Sequence, residues 1–309
     1  MATKILELPD TEYLLPGNRT CAGCALSIAF RYILKALDGQ AIFVVPASCL
    51  TVLGGMYPVS SVAAPWLNCS FPGTAATASG VVAGLKALGK KGVKVVGFAG
   101  DGGTVDIGIQ GLSGAAERDV DMMYICYDNE AYMNTGTQRS SATPLGARTA
   151  TTPILGKQQH AKDMIAIMEA HGVGYIATAS PSYPADLYDK VSKAKDQPGM
   201  RYIHITAPCS PGWVFPAKDT VKMGRMAVET GVTVLFEIED GVFRLTGRSR
   251  TMAGRTEPKP IAEASSLTAY IRAQKRFSGV TDDALEEIQR WIAARWERYL
   301  ARDAGLKQP

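Results

Sequence analysis

With 309 residues, 46% of them hydrophobic and 20% charged, the chain falls outside the disordered and fibrous classes and has room for one large α/β domain or two smaller ones. A net charge of +4, without an acidic or basic tail, argues against nucleic acid as the partner. Thirty-one glycines exceed what a helix bundle needs and point to turns that hold ligands.

In chain order, residues 1–20 read as an irregular arm closed by Pro16-Gly17, with no basic-then-apolar leader, so a cytoplasmic location is expected. Cys21-Ala22-Gly23-Cys24 forms a turn, and the apolar spacing that follows predicts a helix over 25–37. A buried strand is expected at 41–45. From Gly39 to Leu85 there is no Asp, Glu, Lys or Arg, yet Pro46, Pro58, Pro65 and Pro72 break any membrane span. That stretch suits burial against a cofactor or another subunit, although a purely structural core has the same look. Helices are expected at 74–88, 107–117, 163–171 and 184–194, and strands at 93–98, 122–127, 175–177 and 202–206. The alternation implies an α/β fold, a doubly wound parallel sheet with right-handed crossovers and ligands at the strands' carboxyl edge. Residues 247–265, rich in Arg, Pro and polar groups, read as an extended arm. An amphipathic helix is expected at 282–300, with an acidic first turn and later arginines that suit its dipole. The division expected is a main domain at 1–245 and an arm with a helix at 246–309.

Two groups of residues carry chemistry. Gly100-Asp101-Gly102 stands at a strand end, and Asn129 stands past the next strand with 26 residues between it and Gly102. Glycines let backbone approach a diphosphate, and a carboxylate with an amide oxygen gives hard ligands for Mg²⁺. The second group is Cys21, Cys24, Cys49 and Cys209, a set able to hold Zn²⁺ or a [4Fe–4S] cluster. With a single CxxC and the other cysteines scattered, the cluster fits better than a zinc ribbon. Cys69 and Cys126 read as plain buried thiols. His160, His171 and His204 show no ligand spacing, and His204 reads as a satisfied core histidine. Arg139 and Arg148 sit in a loop whose default is solvation, a carboxylate or coenzyme A being the alternative.

The run Gly100-Asp101-Gly102-Gly103-Thr104-Val105-Asp106-Ile107-Gly108, then Tyr127-Asp128-Asn129-Glu130-Ala131-Tyr132-Met133-Asn134-Thr135-Gly136, resembles the β subunit of 2-oxoacid:ferredoxin oxidoreductases, the pyruvate group above all. Gln138-Arg139-Ser140-Ser141-Ala142-Thr143-Pro144, Val228-Glu229-Thr230-Gly231 and Arg295-Trp296-Glu297-Arg298 extend the likeness over nearly the whole chain. The resemblance implies a thiamine diphosphate-binding fold of the diphosphate-domain type. It implies Mg²⁺ held by the Asp101 and Asn129 side chains and the Ala131 carbonyl, and a diphosphate cradled by Gly100, Asp101, Gly102 and Gly103. Cys49, Glu130, Tyr132, Met133 and Asn134 complete the implied cofactor-binding set, with Asn134 beside the thiazolium and substrate as the catalytic residue. Cys21, Cys24, Cys49 and Cys209 match the ligands of one [4Fe–4S] cluster.

The implied activity is oxidative decarboxylation of a 2-oxoacid, pyruvate first, to carbon dioxide and an acyl-coenzyme A, with electrons passing singly to ferredoxin. Alternatives are the same machinery acting on oxalate or an aryl 2-oxoacid such as phenylglyoxylate, and a non-catalytic scaffold holding zinc. Departures from the family pattern at Ala25-Leu26, at 45–48, at 57–62 and at Phe71-Pro72-Gly73 bear on the substrate more than on the cofactors. No carboxylate stands out for the aminopyrimidine ring, so an α subunit is expected to complete the site. No CxxCxxCxxxCP run is present, so a ferredoxin-like relay is expected on another chain, in a hetero-oligomer with two copies of each subunit.

Overall fold

A computed structural model of the chain describes residues 3–254 and 264–305. Eight strands form one sheet: β1 (Ala41–Pro46), β2 (Trp66–Cys69), β3 (Lys94–Gly100), β4 (Met123–Asp128), β5 (Tyr175–Ala179), β6 (Arg201–Thr206), β7 (Phe236–Glu239) and β8 (Val242–Leu245), in the order β2-β1-β3-β4-β6-β5-β7-β8. The first six in that order run parallel. β7 and β8 close one edge as an antiparallel hairpin.

The central parallel strands β1, β3 and β4 are nearly continuous apolar runs because helices cover both faces. On one face Val96, Phe98, Met123, Ile125 and Tyr127 join helices α1 (Ala25–Ala36), α2 (Cys49–Gly54) and, later in the chain, α6 (Pro184–Asp196). On the other, Val95, Ala99, Tyr124 and Cys126 meet α3 (Thr74–Ala87), α4 (Ile109–Glu117) and α5 (Met164–Ala170). A third apolar cluster gathers Trp213 of α7 (Ser210–Trp213) and Met223 of α8 (Thr220–Glu229). Leu267 and Tyr270 of α10 (Ala264–Arg272) and Ile292 of α11 (Asp282–Asp303) pack with them; α9 (Gly247–Ala253) precedes these two helices. Tyr299 of α11 stacks on Phe243, so the last helix covers the antiparallel edge. Among the described residues no helix is long and apolar enough to cross a membrane.

The structure corrects one reading and adds elements. Residues 247–253, expected as an extended arm, form α9, held where Ser249 Oγ accepts the Leu235 N–H at 2.8 Å and Met252 is buried. Of the rest of that expected arm, 255–263 lie outside the described residues and 264–265 open α10 instead of being extended. The helix expected from 107 begins with a wider π-turn at Gly102–Asp106 before α4. β2, α2, α8 and the β7–β8 hairpin are too short or too mixed in pattern to stand out in the sequence.

What matters for a site is the sheet order. From β1 the chain winds outward to β2 on one side, and β3 continues on the other. The crevice outside the carboxyl ends of β1 and β3 is therefore a topological switch point, where open α/β sheets bind ligands.

Candidate active site

A cleft of about 310 Å³ opens at that switch point. Residues 47–49 after β1, Phe71, residues 100–103 after β3, and Asn129 with residues 131–135 after β4 line it. Its floor needs glycine. A Cβ on Gly102 would stand 2.7 Å from the Tyr132 ring, and one on Gly108 would stand 1.9 Å from the Gly103 carbonyl oxygen. Asp106 ties the π-turn to the next loop, accepting from the Tyr132 hydroxyl at 3.1 Å and the Ser141 N–H at 3.0 Å.

Asp101 is buried at the base of the cleft, where the Ser140 hydroxyl donates to its Oδ2 at 2.5 Å. Burial, reinforced by the nearby Asp128 carboxylate, pushes the Asp101 carboxyl well above its ordinary range. One terminal atom of the Asn129 amide lies 2.9 Å from Asp101 Oδ1 and 3.0 Å from the Ala131 carbonyl oxygen. Set as nitrogen, it donates to both and the cluster is satisfied. Set as oxygen, three oxygens meet with no hydrogen among them. An octahedral Mg²⁺ with bonds of about 2.1 Å has adjacent ligand oxygens about 3 Å apart, so the separations suit a shared cation. The donor set and the glycine floor both fit Mg²⁺ and a diphosphate.

A second, smaller pocket abuts the first. Cys21, Cys24, Cys49 and Cys209 line it together, and Cys49, Asn129 and Asn134 line both cavities. Cys24 caps α1, Cys49 opens α2 behind the Ser48 cap, and Cys209 caps α7. The CxxC turn is pressed onto the start of α8. Gly23, at φ 68°, has no room for a Cβ, which would stand 2.2 Å from the Ala217 carbonyl oxygen. Thr220 Oγ1 donates to the Gly23 carbonyl at 2.6 Å. Burial raises the Cys24 thiol and pushes Cys49 up to about 12 and Cys209 to about 11, so these stay neutral until a cation compensates them. All six cysteines are free. Among the described residues no three His, Cys, Asp or Glu side chains are already in metal-ligating arrangement, although soft thiols converging on one pocket are the right chemistry for an iron–sulfur cluster.

Every residue expected at the site is in one of these cavities except Glu130. That side chain turns away from the cleft and pairs with Arg276, whose guanidinium stands 2.5 Å from Glu130 Oε2 without an aligned hydrogen bond. Cys126 is buried in β4 and Cys69 ends β2, both outside the thiol pocket. His204 is satisfied, with Asp128 at 2.9 Å and the Tyr202 hydroxyl at 2.8 Å. Arg139 and Arg148 line neither cavity. Phe71, marked in the sequence only as part of a departure from the family pattern, lines the cleft, whereas Ser140, Trp213 and Arg276 escaped sequence reading, only Ser140 lying inside a motif already singled out.

The family described as thiamine pyrophosphate enzyme, C-terminal TPP binding domain, matches residues 47–205. Pyruvate synthase subunit PorB of Methanothermobacter thermautotrophicus is 48% identical over 291 residues, covering 93% of this chain and 97% of its own. Ketoisovalerate oxidoreductase subunit VorB of Pyrococcus horikoshii is 43% identical over 304 residues, covering 96% of this chain and 94% of its own. Among solved structures, 2-oxoglutarate:ferredoxin oxidoreductase from Magnetococcus marinus shares the fold, with a TM-score of 0.56 at 19% identity over 70% of this chain and 79% of that one. The switch-point cleft, the glycine floor and these relatives agree: the chain belongs to the β subunits of the thiamine diphosphate-dependent 2-oxoacid:ferredoxin oxidoreductases.

Proposed function

We propose that this subunit binds thiamine diphosphate through Mg²⁺ at Asp101, Asn129 and Ala131, and a [4Fe–4S] cluster through Cys21, Cys24, Cys49 and Cys209. It serves the reaction in which a 2-oxoacid anion and coenzyme A give an acyl-coenzyme A, carbon dioxide, a proton and two electrons. The observation that carries this reading is the shared wall: the Asp101 carboxylate, the Ala131 carbonyl and the Asn129 amide meet on a glycine floor, and that cleft shares Cys49, Asn129 and Asn134 with a four-thiol pocket. When bound, thiamine diphosphate supplies the carbanion that adds to the 2-oxo group and takes up the electrons left after decarboxylation.

The chain's own residues hold and orient. The N–H groups of the π-turn face a diphosphate, and Asp101 anchors the cation from a dry site where its charge is least screened. Asn134, exposed at the mouth, offers its amide N–H to the substrate's 2-oxo oxygen as negative charge grows there. Asp101 is the one acid lining the cleft among the described residues and is committed to the cation. The carboxylate that activates the aminopyrimidine therefore comes from an α subunit seated over the cleft. The uncharged stretch from Gly39 to Leu85 leaves Met56, Tyr57 and Val59 largely exposed in the loop after α2, a surface suited to that contact. A ferredoxin-like subunit and then ferredoxin take the electrons onward, in a cytoplasmic assembly with two copies of each subunit. Pyruvate is the first choice of substrate, and the VorB likeness makes a branched 2-oxoacid the second.

The test is turnover of the purified complex on pyruvate, 2-oxoisovalerate, 2-oxoglutarate, oxalate and phenylglyoxylate with a viologen acceptor. Reduction with one 2-oxoacid, absent when this subunit is assayed alone, is the expected result. No turnover on any of them, or full turnover by the isolated cluster-loaded subunit, would overturn the reading. Broad absorbance near about 400 nm separates a cluster from zinc.

A further inference from the structure

We propose that Trp213 and Arg276 are positioning residues that couple the thiol pocket to the oxygen cluster, so that filling one changes affinity at the other. The inference rests on the function proposed above and adds a linkage between its two halves.

Trp213 is wholly buried and holds both sides at once. Its backbone N–H donates to the Cys209 carbonyl at 2.8 Å, and its indole N–H donates to the Asn129 carbonyl at 2.8 Å. Nothing gives between them. A Cβ on Gly212 would stand 2.1 Å from Met133 Sδ and 3.3 Å from Cys209 Sγ, so the Cys209 turn and the loop after Asn129 are packed into contact. Arg276, from the C-terminal part of the chain, lays its guanidinium 4.0 Å from the centre of the Trp213 ring and beside the Glu130 carboxylate. Gln274 Oε1 fixes that guanidinium through bonds of 2.9 and 2.7 Å.

The turn they grip needs gripping. Glu130 has φ 67°, a left-handed conformation that is strained for a non-glycine residue and persists only where surroundings over-determine it. Asp128 Oδ1 accepts the Glu130 N–H at 2.8 Å, and Thr143 Oγ1 donates to the Glu130 carbonyl at 2.6 Å. With the Trp213 bond, three contacts set the peptides on either side of Glu130 and so aim Asn129 and Ala131 at Asp101. Of the three, only Trp213 leads back to the thiol pocket; the Asp128 contact runs through His204 to Cys126, which lies outside it. Any shift of Cys209 on ligation reaches the Asn129 carbonyl through one rigid ring. Linkage makes the effect reciprocal.

In the assembled complex, thiamine diphosphate is titrated calorimetrically in MgCl₂, with the cluster intact and with iron removed by a chelator. The unaltered protein should bind about fivefold or more tightly in one state than in the other. Trp213→Phe, which keeps a ring but loses the N–H, should weaken binding about tenfold and bind alike in both states. Arg276→Met should act in the same direction, and it decides the matter if Trp213→Phe lacks a cooperative melting transition. Unchanged affinity in both variants, or a cluster dependence that survives them, overturns the link. Asp101→Ala runs alongside. If it alone abolishes binding, the oxygen site stands and only the link is wrong. If it binds as well as the unaltered protein, the oxygen site falls and the link with it.

Discussion

The two halves of the site are prepared to different degrees. At the oxygen cluster hydrogen bonds already fix nearly every group, from Ser140 on Asp101 to Asp128, Thr143 and Trp213 on the turn at Glu130. At the thiol pocket four side chains face one space, but thiols have no mutual attraction to order them. Oxygen ligands carried by backbone and short side chains can be set in advance by the fold. Thiols gain their geometry from the group they bind, as in metal sites where ligation supplies folding energy.

The largest test of this contrast is Asp101→Ala. Losing a group that only orients a metal's ligands costs about 10–100-fold in affinity, so removing a ligand itself from a preset cluster should exceed about 100-fold. Calorimetry with thiamine diphosphate and MgCl₂ should show no measurable binding, with iron content unchanged. Normal thiamine diphosphate content in the variant would break the picture.

Cys209→Ser should act in the opposite compartment. Iron per chain and visible absorbance should fall severalfold, while thiamine diphosphate still binds, its affinity shifted as much as stripping the cluster from the unaltered protein shifts it. Unchanged iron would mean that Cys69 or Cys126 serves instead. A smaller effect sharpens the claim that the floor is preset. Gly102→Ala forces a Cβ toward the Tyr132 ring, and overpacking of that kind costs about 1–3 kcal/mol, or about 5–150-fold in cofactor affinity.

The smallest effect concerns the arm that leads to the CxxC turn. Glu12 pairs with Arg31 at 2.5 Å and Lys35 at 2.8 Å, and buried Lys35 also donates to the Pro9 and Thr11 carbonyls. The Arg31 hydrogen bond, with Lys35 helping, lowers the Glu12 carboxyl from 4.5 to about 2. A depressed acid stabilises the fold above its unfolded value and loses that contribution as pH falls from about 4.5 to about 2. Because the side chain is 37% exposed, solvent screening cuts the effect to under about 1 kcal/mol. Denaturant titrations at pH 5 and pH 3 should show the unaltered protein losing that much more than Glu12→Gln, with the difference shrinking in high salt.

Much of this was legible in the sequence because function here sits on short local runs. Gly100 to Gly103 and Asn129 to Asn134 each follow one strand, so reading the strands placed them on one sheet edge, and the four cysteines stood out by residue type alone. The supports were not legible. Arg276 lies 146 positions after Glu130 and Trp213 lies 84 after Asn129, and no spacing rule relates such pairs. Glu130 was expected at the cofactor because its neighbours are. Its left-handed backbone instead turns the side chain toward Arg276, a conformation that sequence pattern favours only at Gly, Asn or Asp. The helix at 247–253 was hidden for a related reason: its propensity is poor, and burial of Met252 decides it.

Because Cys49, Asn129 and Asn134 line both cavities, no substitution among them is a clean genetic probe. A change at any one alters the volume and polarity felt on both sides, so variants at these three positions should show strong epistasis with variants in either cavity. Groups in mutual contact commonly depart from additivity by about 0.5–3 kcal/mol. Dissection of the two half-reactions is therefore cleanest with residues that touch one cavity alone and lie off the Trp213 link, Gly102 and Tyr132 on one side and Cys21 and Cys24 on the other. The same sharing narrows what natural variation can do. On the function proposed above, a chain that changes its substrate at this wall disturbs its electron exit in the same step, so substrate range is freer to drift at exposed Thr135 than at the shared wall.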